Sequence, residues 1–340
     1  MKLRYYIIRR LFFAVIVIFG VTIIAFALTR VIPANPASMW VGAHATPEQI
    51  AQAESELGLN QPLYIQYFDY ISDLLHGDLG TSIRTHNPVR EDIAHFLPAS
   101  LEIIIWGMLI AVAVGVPLGV YSAANRNTII DHAARFFSVT GVSLPTFWLG
   151  MILQLVFFQQ LGILPSSGRI SIQVELNYPF HRITGFLLID TLIQGNFVAF
   201  KDVALHLILP ALTMAAYPLG LVTRQVRSST IDVLGEDFIR MERSFGIKEA
   251  KVLFIYSLRN SFGSALNVLA LTFAYSLVSI FLIESIFSWP GLGTYAATAI
   301  SSSDYPAIMG ITLMIAMIYV FLNLVVDIIQ AYMDPRIRYD

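Results

Sequence analysis

The 340-residue chain is 56% hydrophobic and 13% charged, with a formal net charge of −2, about half the charge density of an ordinary soluble domain. Its mean hydropathy of +0.68 leaves more apolar surface than a water-facing fold can bury, so lipid must cover the excess. Without cysteine, disulfides, thiolate metal sites and thiol catalysis are excluded.

A membrane-crossing helix needs about 20 mostly apolar residues. The first such stretch is Leu11–Leu28, preceded by Lys2, Arg4, Arg9 and Arg10. Ala25-Phe26-Ala27 resembles a signal-peptidase site, but the long apolar core, followed at once by Leu28, Thr29 and Arg30, favours an uncleaved helix. The loop from Val31 to Pro98 is long enough to fold. Thr46-Pro47-Glu48-Gln49 reads as a cap, a first-turn proline and a capping-box glutamine. That helix should stop at Gly58, and a second should run from near Pro62 to Gly77 with Tyr64, Tyr67, Phe68, Ile71, Leu74 and Leu75 on one face. A helical cap over the outer face follows, its acidic residues being either solvated surface or a dock for a delivery protein or cationic solute.

Further spans are predicted at Ile103–Ala124, Phe137–Phe158, Leu205–Val222, Ala265–Ile283 and Ala307–Val326. Phe186–Ile193 is apolar but too short to span, and reads as an interfacial or re-entrant piece of a loop. Pro117, Pro145, Pro210 and Pro218 predict kinks. Glu102, Glu284 and Asp327 fall near span ends, where interfacial placement is the cheapest solution, and Asn267 is placed to hydrogen-bond a neighbouring helix. Basic residues collect before the first span, between the second and third (Arg126, Arg135), between the fourth and fifth, and in the tail (Arg336, Arg338). Positive charge is retained on the cytoplasmic side, so both termini are predicted to be cytoplasmic.

The largest cytoplasmic loop, about 224–260, carries Arg224, Arg227, Arg240, Arg243, Lys248, Lys251 and Arg259. Ile231, Leu234, Phe238 and Met241 recur at helical spacing and predict an amphipathic helix along the membrane surface. Gly246 interrupts, and a second piece follows from Ile247 to Ser257 with Ala250, Leu253, Phe254 and Ser257 on one face. Helix, glycine turn, helix is a shape that moves as a unit; the alternative is an ordinary anchored loop.

At this loop the chain resembles the permeases of ATP-binding-cassette importers, in the oligopeptide/dipeptide/nickel group. The group pattern D-Y-I-R-T-A-R-A-K-G, then H-A-L-R-N, is matched by Asp237, Ile239, Arg240, Arg243, Gly246, Leu258, Arg259 and Asn260, whereas Met241, Glu242 and Phe245 depart from it. The resemblance runs nearly the whole length. It includes Leu57–Leu63, Gly77–Ser82, Ser143–Trp148, Leu164–Gly168, His206–Pro210, Glu284–Gly293, Asp304–Pro306 and Asp334–Ile337, with Pro33-Ala34-Asn35-Pro36 as a departure. It implies an all-α membrane protein of six transmembrane helices with the type I importer permease fold. Residues 1–97 would be the first helix plus an extracytoplasmic helical segment, and 98–340 a five-helix core.

On the same ground the chain is no enzyme and holds no cofactor; no P-loop G-x-x-x-x-G-K-[ST] occurs in it. ATP and Mg would be bound by two cytoplasmic ATP-binding subunits, beside a second homologous permease and an extracytoplasmic substrate-binding protein, with lipid around and no nucleic acid. Asp237, Ile239, Arg240, Glu242, Arg243, Gly246, Ile247, Leu258 and Arg259 would form the ATPase-coupling loop. The solute would be a peptide or similar small molecule, with oligosaccharide and nickel as alternatives. A secondary transporter would show an internal repeat, and an intramembrane enzyme a metal or triad motif; neither is found.

Overall fold

A computed structural model describes residues 3–31, 36–42, 45–56 and 58–333. The Asp334–Ile337 motif, Arg336 and Arg338 of the tail, and Pro33, Ala34 and Asn35 lie outside the described residues. Among the described residues the chain is helical, with a single isolated bridge between Thr81 and Pro88.

Helix α1 (Leu3–Val31) contains the first span. Three short helices follow: α2 (Pro36–Val41), α3 (Pro47–Glu56) and α4 (Leu63–Leu75). Thr46 and Gln49 close the expected capping box, Thr46 N donating to Gln49 Oε1 at 2.9 Å and Gln49 N to Thr46 Oγ1 at 3.3 Å. Gly58 and Gly77 end their segments at φ 64° and 79°. Helix α4 packs against the first helix. Tyr67 lies against α1, its hydroxyl 2.9 Å from Thr22 Oγ1 and its ring edge-on to Phe26 at 5.3 Å. Tyr67 and Tyr70 meet Phe26 of the first span, while Leu63, Tyr64, Phe68 and Leu75 stay exposed.

The centre of the bundle is α5 (Val89–Ala124) packed along α10 (Phe197–Leu234). Small residues allow this. A Cβ at Gly119 would stand 2.8 Å from the Thr223 carbonyl, and one at Gly115 would stand 3.2 Å from that of Leu219. The pair Gly115 and Gly119 is a small-xxx-small interface of the kind that brings membrane helices into backbone contact. Pro98 and Pro117 in α5, and Pro210 and Pro218 in α10, leave both helices unbroken. Helix α5 passes without interruption through Leu97 and Pro98.

The third expected span is the main surprise. It is two pieces, α6 (Ile129–Ser143) and α7 (Thr146–Leu153), the latter continued by a π-helical turn over Gln154–Gln160, bent by 106°. Leu144 at the elbow is extended, with φ −76° and ψ 132°; the proline that follows excludes the helical conformation there and offers no N–H. Among the described residues five helices are therefore long and apolar enough to span, and six spans are reached by counting the bent pair as one.

After α8 (Ile172–Asn177), the short apolar run is α9 (Leu187–Ile193), with Leu187, Leu188, Asp190 and Thr191 buried. Asp190 accepts from the amides of Ile183, Thr184 and Gly185 and so shapes the loop before it. Past α10 come α11 (Asp237–Ser244), α12 (Glu249–Lys251), a π turn (Val252–Ser257) and α13 (Leu258–Ser279). The chain closes with α14 (Phe281–Ile286), α15 (Leu292–Ser301) and α16 (Tyr305–Met333). Arg10 of α1 pairs with Asp327 of α16 at 3.0 Å, and Gln330 Nε2 donates to Asn267 Oδ1 at 2.6 Å, the interhelical bond expected of Asn267.

Glu102 and Glu284 turn inward, into the protein. Both are buried, at 1% and 0% exposure, and each is fully partnered, which is what makes burial tolerable. Arg169 Nη2 lies 2.6 Å from Glu102 Oε2, and Leu188 N donates to Oε1 at 2.9 Å. Burial pulls the Arg169 guanidinium below its usual pKa while Glu102 holds it up. Glu284 accepts from Ser100 Oγ and from Thr294 N at 2.7 Å. These carboxylates fasten α5 to the connecting loops, a role invisible in a count of charges along the chain.

Candidate functional site

The charged loop between α10 and α13 is built on a buried hinge and an exposed face. Helix α10 stops at Leu234, and Gly235 and Glu236 break the path before α11 begins. The expected amphipathic helix through Ile231, Leu234, Phe238 and Met241 is thus two helices, and the break rotates the face. Ile239 is fully buried, whereas Met241 is 50% exposed. Anchoring continues on the far side, where Val252 and Leu253 are buried and Phe254 packs edge-on to Tyr121 of α5 at 5.3 Å. Leu253 joins Val116, Val120, Val222 and Val226 in one apolar cluster, against which Leu234, Phe254 and Leu258 rest.

Between the anchors the chain turns at Gly246, with φ 71°, a conformation that glycine adopts without penalty. Arg243 grips Glu249 across this turn, Nη2 to Oε1 at 2.6 Å and Nε to Oε2 at 3.2 Å. Ile247 N returns to the Glu242 carbonyl at 3.3 Å. Arg240 and Asp237 form a solvent-exposed pair at 3.3 Å.

The structure therefore gathers Asp237, Arg240, Glu242, Arg243, Gly246 and Ile247 on one short helix-turn-helix projection. It separates Leu258, which packs inward, from Arg259, which is exposed on α13. Two side chains missed by the charge-based reading stand out on this projection: Met241 at 50% and Phe245 at 73% exposure. Both are positions where the loop departs from the group pattern, and no local signal marks them as outward-facing.

A second fastening close to the loop's root was also missed. Arg227 of α10 makes a bidentate pair with Asp131 of α6, at 2.6 and 2.8 Å, and Ser122 Oγ and Asn127 N also donate to that carboxylate. Asp131 is fully buried. Arg227 read as a topology-setting charge, but it locks the first half of the bent span to the helix that carries the loop. Among the described residues no group of three or more His, Asp or Glu side chains could hold a metal ion.

Comparison with known proteins agrees with this architecture. Residues 115–339 match the family described as "binding-protein-dependent transport system inner membrane component", and residues 3–103 match its N-terminal region. The probable D,D-dipeptide transport system permease protein DdpB of Escherichia coli (strain K12) is 42% identical over 323 residues, covering 95% of this chain and 94% of that protein. The dipeptide transport system permease protein DppB of Alkalihalophilus pseudofirmus is 40% identical over 334 residues, covering 98% and 99%. The oligopeptide transport system permease protein AppB of Bacillus subtilis (strain 168) is 34% identical over 335 residues, again covering 98% and 99%. The chain belongs to the inner-membrane component family of binding-protein-dependent transport systems, the permease subunits of ATP-binding-cassette importers, with the type I permease fold.

Proposed function

We propose that this permease forms half of the path of an ATP-driven peptide importer and that residues 237–259 couple it to the ATPase. The observation that carries the reading is the projection itself: anchored at Ile239, Val252 and Leu253, clamped by Arg243 and Glu249, and exposing Met241 and Phe245 among charges. Apolar side chains held out on a rigid, hydrophilic knuckle are suited to a groove on another protein.

In this reading Asp237, Arg240, Glu242, Arg243, Gly246, Ile247 and Arg259 form the docking surface, and Leu258 its inner support. Two ATP-binding subunits bind ATP and Mg and hydrolyse the nucleotide, a second homologous permease completes the path, and an extracytoplasmic binding protein delivers the solute. Both termini face the cytoplasm in this reading, since most of the 21 Lys and Arg residues lie in the segments that this orientation makes cytoplasmic. The units in this reading are 1–97 and the five-helix core 98–340, with α5 running continuously across their boundary. Relatives named for dipeptides and oligopeptides support peptide as the solute. Closure of the ATPases would drive the projection as a lever on α10 and α13.

The test is purification of the tagged chain from its native membrane in mild detergent, mass spectrometry, and reconstitution into proteoliposomes. Recovery of a P-loop ATPase and a second permease, with ATP-dependent dipeptide uptake, is expected. A chain that purifies alone and transports without ATP would replace this reading with that of a secondary transporter.

A further inference from the structure

Helices α10 and α13 enclose a groove of mixed polar and apolar lining that neither the bundle core nor the coupling loop explains. On α10, Tyr217, Leu221, Arg224 and Gln225 share one face, and on α13 so do Val268, Leu271, Thr272 and Tyr275; together they line a cavity of about 200 Å³. A second cavity of about 190 Å³ shares Tyr217 and Tyr275 and continues along the same helices past Ser276 and Ser279 to Thr146 at the elbow of the bent span. From Met214 to Gln225 the groove follows eleven residues of α10, about 17 Å at helical rise, which is more than half of a bilayer's apolar thickness.

Its lining is unlike the rest of the outward surface. The exposed faces of α1 and α16 present Phe12, Val15, Phe19 and Phe321, as lipid contact demands. The groove instead presents, beside an exposed Leu271, a 70% exposed Tyr275, half-buried Tyr217 and Gln225, and exposed Arg224. No hydrogen bond or ion pair engages Arg224 among the described residues. A cation without a partner at the cytoplasmic end of a span, bordering a concave surface that also carries Tyr217, Gln225, Thr272 and Tyr275, fits the exit of a hydrated path better than an apolar helix seat.

We propose that this groove is the chain's half of the solute path, with Tyr217, Gln225 and Tyr275 as its walls and Arg224 as the point that meets the carboxylate of the passing solute. The inference rests on the importer reading and adds to it the path residues and the chemical group recognised.

The absence of native cysteine allows a direct test in the complete reconstituted importer. Tyr275→Cys, Ser279→Cys and the lipid-face control Phe321→Cys are labelled with sulfonatoethyl and trimethylammonioethyl methanethiosulfonate, and modification of this chain is read by mass. Both groove positions should react, and Phe321→Cys at least about tenfold more slowly, because thiols in hydrocarbon do not ionise. At Tyr275→Cys the anionic reagent should be favoured, and adding Arg224→Gln should lower the anion-to-cation rate ratio about threefold or more, with a smaller change at the more distant Ser279→Cys. Arg224→Lys should keep the preference. An unreactive Tyr275→Cys would mean that lipid or a partner helix fills the groove. A ratio indifferent to Arg224→Gln would place the guanidinium on a lipid phosphate. Either result overturns the proposal while leaving ATP-dependent uptake, and so the importer reading, intact; loss of uptake by the unmodified importer would fail the importer reading itself.

Discussion

Arg243 and Glu249 clasp each other across the Gly246 turn through two hydrogen bonds of 2.6 and 3.2 Å. The clasp joins the end of α11 to the start of α12, so force applied to one is carried to the other. Both partners are about half exposed, so the pair contributes roughly 0.2–1 kcal/mol to stability. Its value is geometric. Arg243→Ala and Glu249→Ala should each leave the thermal unfolding midpoint nearly unchanged while lowering uptake per ATP hydrolysed several-fold. The exchanged pair Arg243→Glu with Glu249→Arg should recover part of that loss, as measured by parallel uptake and phosphate release.

Gly246 sits at φ 71°, where any side chain is strained by about 1 kcal/mol and proline is excluded by its fixed negative φ. Gly246→Pro should therefore insert and assemble, since nothing lies within 4 Å of a Cβ there, yet fail to couple ATP hydrolysis to transport. Gly246→Ala should show a milder defect. Normal dipeptide uptake by the proline variant would sink the lever mechanism.

The central helix pair depends on Gly119, whose Cβ would meet the Thr223 carbonyl at 2.8 Å. Gly119→Leu should prevent α5 from closing on α10 and leave little folded permease in a detergent size-exclusion profile. Gly20→Leu, on the outer face of α1 where a Cβ meets nothing within 4 Å, should yield wild-type amounts.

Glu102 and Arg169 form a buried ion pair at 2.6 Å, exposed by only 1% and 8%. Removing one partner strands the other, which typically costs about 3–5 kcal/mol. Glu102→Ala should thus lower the midpoint of thermal unfolding in detergent markedly. The double variant Glu102→Leu with Arg169→Met should recover much of it, because the stranded charge is gone; a double variant worse than the sum of the two singles would contradict this account.

Local signals were legible before any coordinates. The Thr46–Gln49 capping box, the glycine stops at Gly58 and Gly77 and the turn at Gly246 each depend on a few adjacent residues, and each is present. The sequence marks the Leu144–Pro145 elbow only as a kink, because hydropathy reports that a stretch is apolar and not the direction it takes. The mates of Glu102 and Asp131, at Arg169 and Arg227, lie 67 and 96 positions away, and no periodicity encodes such a pairing. The exposed face of the projection is rotated from the sequence expectation because helical spacing does not carry across Gly235, where the helix ends; that one break exchanges exposed Met241 for buried Ile239.

The most direct test of the central claim is a cross-link from the projection. Met241→Cys in the otherwise cysteine-free chain, carrying a short thiol-linked photoreactive group, would be irradiated in the purified native complex. The account predicts a product joining this chain to the ATP-binding subunit, its yield changing when ATP is added, and none from Phe68→Cys on α4. A cross-link from Phe68→Cys to the ATPase with none from Met241→Cys would contradict both the orientation and the coupling role assigned to residues 237–259.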